Sequence, residues 1–268
     1  MQNEAIEKAA RDIEKAITEC GVQAVSQLPA FIQAVRMAHG ISAMRAALTD
    51  QLVQTVILPL QGSPLGFLTD KDKDGGYGLA VVRDCAIDAM LRGFRIVGNE
   101  LNIISGRFYG TKAGYTRLVQ EFSGLTDLML QPGVPVNVGD KGALVPYVAV
   151  WKLNGKEMMI RCVQEKDADL RIPVKVNSGM GSDAIIGKAE RKMMFRIYQR
   201  INGGTFGAVD GEVGDESAIN TTGEPAPSPV PAGTPEGRRI KLNGKKPEAP
   251  PAPANETQAA ASPEDDGR

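Results

Sequence analysis

Histidine and cysteine are scarce in this 268-residue sequence, which has one histidine, His39, and three cysteines, Cys20, Cys85 and Cys162. The cysteines lie far apart, form no CxxC pair and do not adjoin His39, so they offer no zinc site and fit a reducing compartment, the cytoplasm. With a single histidine, on an Ala- and Met-rich segment, no nucleophile–histidine triad is available. No apolar run approaches the roughly 18 residues of a membrane span. The amino-terminal stretch MQNEAIEKAARDIEKAI is charged and amphipathic rather than a leader, so a soluble chain is expected.

Two motifs come close to a ligand site and stop short. DKDKDG (70–75) opens like an EF-hand loop, but the twelfth loop position, where calcium needs a bidentate carboxylate, is Val81. Lys71 and Lys73 already offset the acidic cluster, which reads as a solvated connecting loop. GSDAIIGK (181–188) resembles a P-loop, yet five residues separate its glycines where the cradle needs four. Ala189 then stands where a magnesium-binding hydroxyl belongs. No carboxylate pair is spaced for metal-ion phosphoryl chemistry. The sequence thus calls for no cofactor and no metal, and describes a binding protein rather than an enzyme.

What is present is unevenly distributed. Ten of the seventeen prolines lie between Pro225 and Pro263, in a polar Pro/Gly-rich segment. Such a composition buries too little apolar surface to offset its ordering entropy, so 208–268 is expected to be a disordered tail behind a folded region of 1–207. The net charge of −1 hides a basic stretch: Arg92 to Arg200 carries 17 Lys+Arg against 10 Asp+Glu. An asymmetry of that sign points to a polyanionic partner or to a solvated charged surface.

Hydrophobic periodicity makes the first sixty residues helical. Ile6, Ala9, Ala10, Ile13 and Ile17 recur at helical spacing, Pro29 opens a second helix expected to end at Gly40, and Ser42 caps a third that runs to about Leu58. A helix over 78–93 stops at Gly93. Strand-like runs follow: FRIVG, LNIISGRFYG, TDLML, LVPYVAVWKL, KEMMIRCV and LRIPVKV, with a short helix at 113–122 and a hairpin turn at Asn154-Gly155. A last helix covers about 183–201. The expected class is α+β, a central antiparallel sheet flanked by N-terminal helices and a basic C-terminal helix.

That last helix carries the sharpest signal. Ile185, Ala189, Met193, Ile197 and Ile201 form an apolar stripe, and Lys188, Lys192, Arg196 and Arg200 form a parallel cationic one that Arg191 widens and only Glu190 opposes. Such a stripe spans about 18 Å, enough for several phosphates. The stretch NIISGRFYGTKAGYTR (102–117) supplies aromatics beside cations. If Ile104 faces the core, alternation along one strand places Arg107 and Tyr109 on the opposite side, with Phe108 inside. Lys112, Tyr115 and Arg117 follow around glycines that allow close approach to a ligand. Guanidinium and phenol groups contact phosphates or stack on unpaired bases, and no duplex-reading module is evident. The combination points to single-stranded nucleic acid.

In the order of its elements, the segment 78–202 resembles the RecT/Redβ family of phage single-strand annealing proteins. The resembling features are the helix AVVRDCAIDAMLRGFRIVGNE, the strand LNIISGRFYGTKAGYTRLVQEFSGLTDL, the pair VPYVAVWKLNGKEMMIRCV and the basic helix GKAERKMMFRIYQRI. The first seventy residues match only in being helical, and the family's Gly-Tyr-x-Gly core takes the looser form GTKAGYTR. The resemblance implies ATP-independent annealing of complementary strands, a duplex intermediate, and protomers assembled into rings or helical filaments on DNA. It also implies a flexible tail that meets a nuclease or single-strand-binding protein; here the tail's acidic end EDDGR could act instead as a DNA-mimicking brake. The DNA-contacting set would be Arg107, Tyr109, Lys112, Tyr115, Arg117, Lys188, Arg191, Lys192, Arg196 and Arg200. Two other readings remain open: a passive single-strand binder, and a structural protein whose basic helix meets an acidic subunit.

Overall fold

The computed structural model describes residues 2–203; the tail expected over 208–268 lies outside the described residues. The fold is α+β. Its helical beginning consists of α1 (Gln2–Cys20), α2 (Val22–Val25) and α3 (Ala30–Ala47), with α1 packed on α3. Alternate three- and four-residue steps turn Ala9, Ala16 and Cys20 inward, with Ile13 and Ile17 half-buried beside them, while Ala10 faces out.

Gly40 does not end a helix, as its residue type suggests, but lies buried in the middle of α3. A Cβ at this position would stand 2.6 Å from the Cβ of Cys20, so the glycine is there to let two helix backbones approach. The next cap is accordingly Thr49 rather than Ser42. Its hydroxyl accepts from the Leu52 amide at 3.3 Å and opens α4 (Asp50–Leu52), which runs on through a π turn (Val53–Ile57) and a 3-10 turn (Leu58–Leu60).

The strands are distributed over three three-stranded sheets. In the first, β1 (Leu68–Thr69) lies parallel to β2 (Leu101–Ile104), which forms an antiparallel hairpin with β3 (Arg107–Gly110). The acidic loop after β1 is tied into this sheet. Asp72 accepts from the amide and hydroxyl of Thr69 at 2.9 and 2.7 Å, and Asp70 accepts from the Tyr77 hydroxyl and the Ser105 amide at 2.8 and 3.0 Å. Helix α5 (Leu79–Leu91) ends before Gly93, whose φ of 85° is the left-handed conformation expected of it. Phe94 then enters the core, and α6 (Lys112–Gln120) follows the hairpin.

The other two sheets are antiparallel. One has the order β4 (Leu125–Pro132), β7 (Tyr147–Leu153), β8 (Lys156–Cys162), closed by the Asn154-Gly155 turn; the other runs β5 (Val136–Val138), β6 (Gly142–Val145), β9 (Ile172–Lys175). The run LVPYVAVWKL reads as one strand but is split at Pro146 between β6 and β7. A residue without an N–H interrupts the ladder, and the chain changes sheet there. Helix α7 (Ser182–Ile201) packs on α6, β6, β7 and β9. All five residues of its apolar stripe are buried, in one core with Trp151, Tyr147, Val145 and Ile172. Among the described residues no helix is long and apolar enough to cross a membrane.

Candidate nucleic-acid interface

The β2–β3 turn sets the geometry. Ser105 and Gly106 both have positive φ (52° and 72°), the signature of a two-residue turn that matches strand twist. It pairs Ile104 with Arg107 and Asn102 with Tyr109. Cross-strand partners share a face, so Arg107 and Tyr109 lie on the same side as Ile104 and Asn102, not opposite them. Counting alternation straight through Ser105-Gly106 treats a hairpin as one strand, and the fold reverses that parity.

This hairpin face meets α7. The Arg191 guanidinium carbon sits 4.4 Å from the centre of the Tyr109 ring, a cation–π stack. Lys112, at the start of α6, forms a 2.7 Å ion pair with Glu190, one residue earlier on α7. The two segments singled out in the sequence are thus brought into contact. Arg107 is exposed at the hairpin's turn, and Asn102, which sequence reasoning passed over, is buried across from Tyr109 with its Oδ1 lacking a partner. Only the register of a two-residue turn could have flagged that asparagine.

The cationic stripe is not an open rail. Lys188, Arg191 and Lys192 are only 4%, 8% and 6% exposed. Lys188 Nζ donates to the Lys175 carbonyl at 3.3 Å and Lys192 Nζ to the Pro173 carbonyl at 3.0 Å. Both acceptors belong to β9, whose other edge pairs with β6. A sheet edge presents carbonyls that need donors, and lysines on the covering helix supply them. A helical wheel misses this because β9 extends past the apolar stripe and covers the next face too.

Farther along α7 the cations emerge again. Arg196 is half-buried, and its Nη1 donates to Cys162 Sγ at 2.8 Å. Arg200 is exposed in the last turn, where a cation suits the helix dipole.

Tyr115 and Arg117 have different work. Tyr115 is buried among aromatic rings, 5.0 Å from Phe94, 5.4 Å from Phe195 and 5.7 Å from Tyr198. Gly110 and Gly114 serve this packing: a Cβ on either would collide with the Phe94 ring. They give close approach to side chains of the core rather than to a ligand.

Arg117 reaches the buried Glu100 through Nε and, at 2.7 Å, through Nη2; it also donates to Glu121 at 2.8 Å and to the Gly93 carbonyl at 2.7 Å. The bonds to Glu100 hold its guanidinium pKa above the ordinary value, and the same network pulls the Glu121 carboxyl below its own. Arg117 is an internal strut, because Glu100 requires a cation in the core. No family model, curated protein or solved structure matches the chain.

Proposed function

We propose that the protein binds single-stranded DNA and anneals complementary strands without ATP, in the manner of a phage-type recombinase working in the bacterial cytoplasm. The observation that carries the proposal is the junction of the β2–β3 hairpin with α7. There an exposed arginine, a tyrosine stacked on a guanidinium, and a lysine–glutamate pair adjoin a row of buried lysines. Arg107, Tyr109, Lys112 and Arg191 would meet the strand on the hairpin side, and Arg196 and Arg200 at the far end of α7. Lys188 and Lys192 add positive field from beneath, whereas Tyr115 and Arg117 hold the scaffold.

Annealing needs no bond chemistry, so no catalytic residue is assigned. A strand must be held extended with its bases available, and each stacked step of new duplex supplies roughly 1.4 kcal/mol. A dozen such steps can displace many phosphate contacts. One protomer offers few contacts, and assembly into a ring or helical filament multiplies them through effective concentration. The tail is assigned to a nuclease or single-strand-binding protein.

One specific observation favours a second reading, a structural protein with a basic interface: two lysines of the stripe donate to carbonyls of the protein itself. Fluorescence anisotropy of a labelled oligo-dT over a salt series separates the two. Affinity that falls with salt, at roughly 0.7 log–log units per phosphate contact, supports the DNA reading; no binding at low salt supports the structural one.

A further inference from the structure

The sheet β4–β7–β8 turns one face to the core under α7 and the other to solvent. Tyr147, Ala149 and Trp151 of β7 are buried in that core, so Val148, Val150 and Lys152, which alternate with them, point outward. Cross-strand partners share a face, and the register sets Met129 of β4, Val150 of β7 and Met159 of β8 in one row across the outer side. Met129 and Met159 are 54% and 55% exposed, and Val148 and Val150 are half-buried between them. Flexible thioethers adapt readily to an apolar partner, and a contiguous exposed apolar patch marks an interaction site.

The charges around the row identify the partner. Glu157 and Arg161 lie two residues to either side of Met159 on β8 and share its outward face. Along this strand the outer face therefore reads minus, apolar, plus. No ion pair among the described residues takes up Arg161 or Glu157, and Lys152, across from Glu157, is drawn to Asp127 at 2.8 Å. A twofold axis laid along the methionine row turns one β8 antiparallel to the other. Met129, Val150 and Met159 then meet their own counterparts, and each Glu157 comes opposite the Arg161 of the other copy. Packed sheets stand about 10 Å apart, a gap that a glutamate and an arginine span together.

A nucleic-acid strand gains nothing from Glu157, whereas a face of self-matching sign suits a second copy. Nor is the sheet prepared for pairing edge to edge. Strand β4 shifts register between Thr126 and Met129, with Asp127 at φ 55°, and bulges of this kind turn an edge away from a new strand.

We propose that the outer face of β4–β7–β8 is a dimerisation surface, on which a second copy of the chain packs sheet to sheet about a twofold axis along Met129–Val150–Met159. A patch from three strands is smaller than the about 20–30 residues a side of a standard interface, so the dimer is weak, with half-association at roughly 1–100 µM. Such an interface closes at two copies and needs no DNA. It is separate from side-by-side assembly on a strand, and it stands or falls independently of the DNA-binding reading.

The test is sedimentation equilibrium of the full chain, without nucleic acid, from about 1 to 300 µM. The wild type should pass from monomer to dimer over this range and go no further. Glu157→Arg sets arginine against arginine at both ends of the interface, and Arg161→Glu sets glutamate against glutamate. Each should raise the dissociation constant about tenfold or more, since like charges face each other twice. The double variant Glu157→Arg, Arg161→Glu should restore the dimer. So should an equimolar mixture of the two single variants, because each carries the charges that the other needs. Both side chains are exposed, so circular-dichroism melts of the dilute monomers should match wild type. A monomer at every concentration, or association beyond two copies, overturns the proposal. A dimer indifferent to both reversals, or one that neither the double variant nor the mixture recovers, defeats this twofold arrangement. A chain that stays monomeric while Arg161→Glu weakens oligo-dT binding gives the face to nucleic acid and refutes the dimer.

Discussion

Removing Arg117 tests whether the basic residues of the hairpin region divide into scaffold and interface as described. Arg117→Met deletes the guanidinium and leaves the Glu100 carboxylate, whose side chain is 7% exposed, without its cation. The remaining donor to that carboxylate is the Arg95 amide, at 2.8 Å. Breaking a buried pair from one side costs about 3–5 kcal/mol. For a folded region of this size, at about 2–4 °C per kcal/mol, the thermal midpoint should fall by roughly 6–20 °C. Adding Glu100→Gln, which keeps an acceptor for the Arg95 amide but removes the charge, should recover part of the loss. Circular-dichroism melts of wild type, both single variants and the double variant supply the cycle. Below its midpoint Arg117→Met should bind oligonucleotide with the wild-type salt slope. A variant that melts like wild type yet loses DNA affinity would refute the reasoning and return Arg117 to the ligand.

Gly40→Ala forces a methyl toward the Cys20 Cβ and should destabilise by about 1–3 kcal/mol, measured by urea unfolding; an unchanged midpoint would show that α1 and α3 separate freely. Tyr109→Phe keeps the ring over which Arg191 sits and should retain most oligonucleotide affinity, whereas Tyr109→Ala should lose about tenfold or more in an anisotropy titration. Arg107→Gln, at an exposed turn, should leave the melt unchanged and lower the log–log salt slope by roughly 0.7. Burial pushes the Cys85 thiol up from 9.0 to about 12. The unfolded chain therefore loses this proton first, and stability should decline as pH rises from 9.0 toward about 12; Cys85→Ala should flatten that decline in a series of urea melts.

Helices α1, α5 and α7, the Gly93 stop, the Asn154-Gly155 turn and the apolar stripe of α7 were legible in the sequence, because each rests on local chemistry. What was not legible depends on contacts between distant segments. Gly40 reads as a helix stop until Cys20 is placed against it, and Pro146 looks tolerable until β6 and β7 are seen to lie in different sheets. The candidate interface follows the same rule. Its two segments could be chosen from clustered cations and aromatics, but the coverage of Lys188 and Lys192 is decided by β9, and the engagement of Arg117 by Glu100.

The most direct measurement of the central claim is the rate at which two complementary labelled oligonucleotides pair, followed by energy transfer with and without the protein and with no ATP present. Pairing should be faster with protein, should lose that acceleration at high salt, and should lose it likewise in a Tyr109→Ala, Arg191→Met variant that still melts cooperatively. Pairing no faster than in buffer, by a folded protein that nonetheless binds the strands, would contradict it and leave a passive single-strand binder.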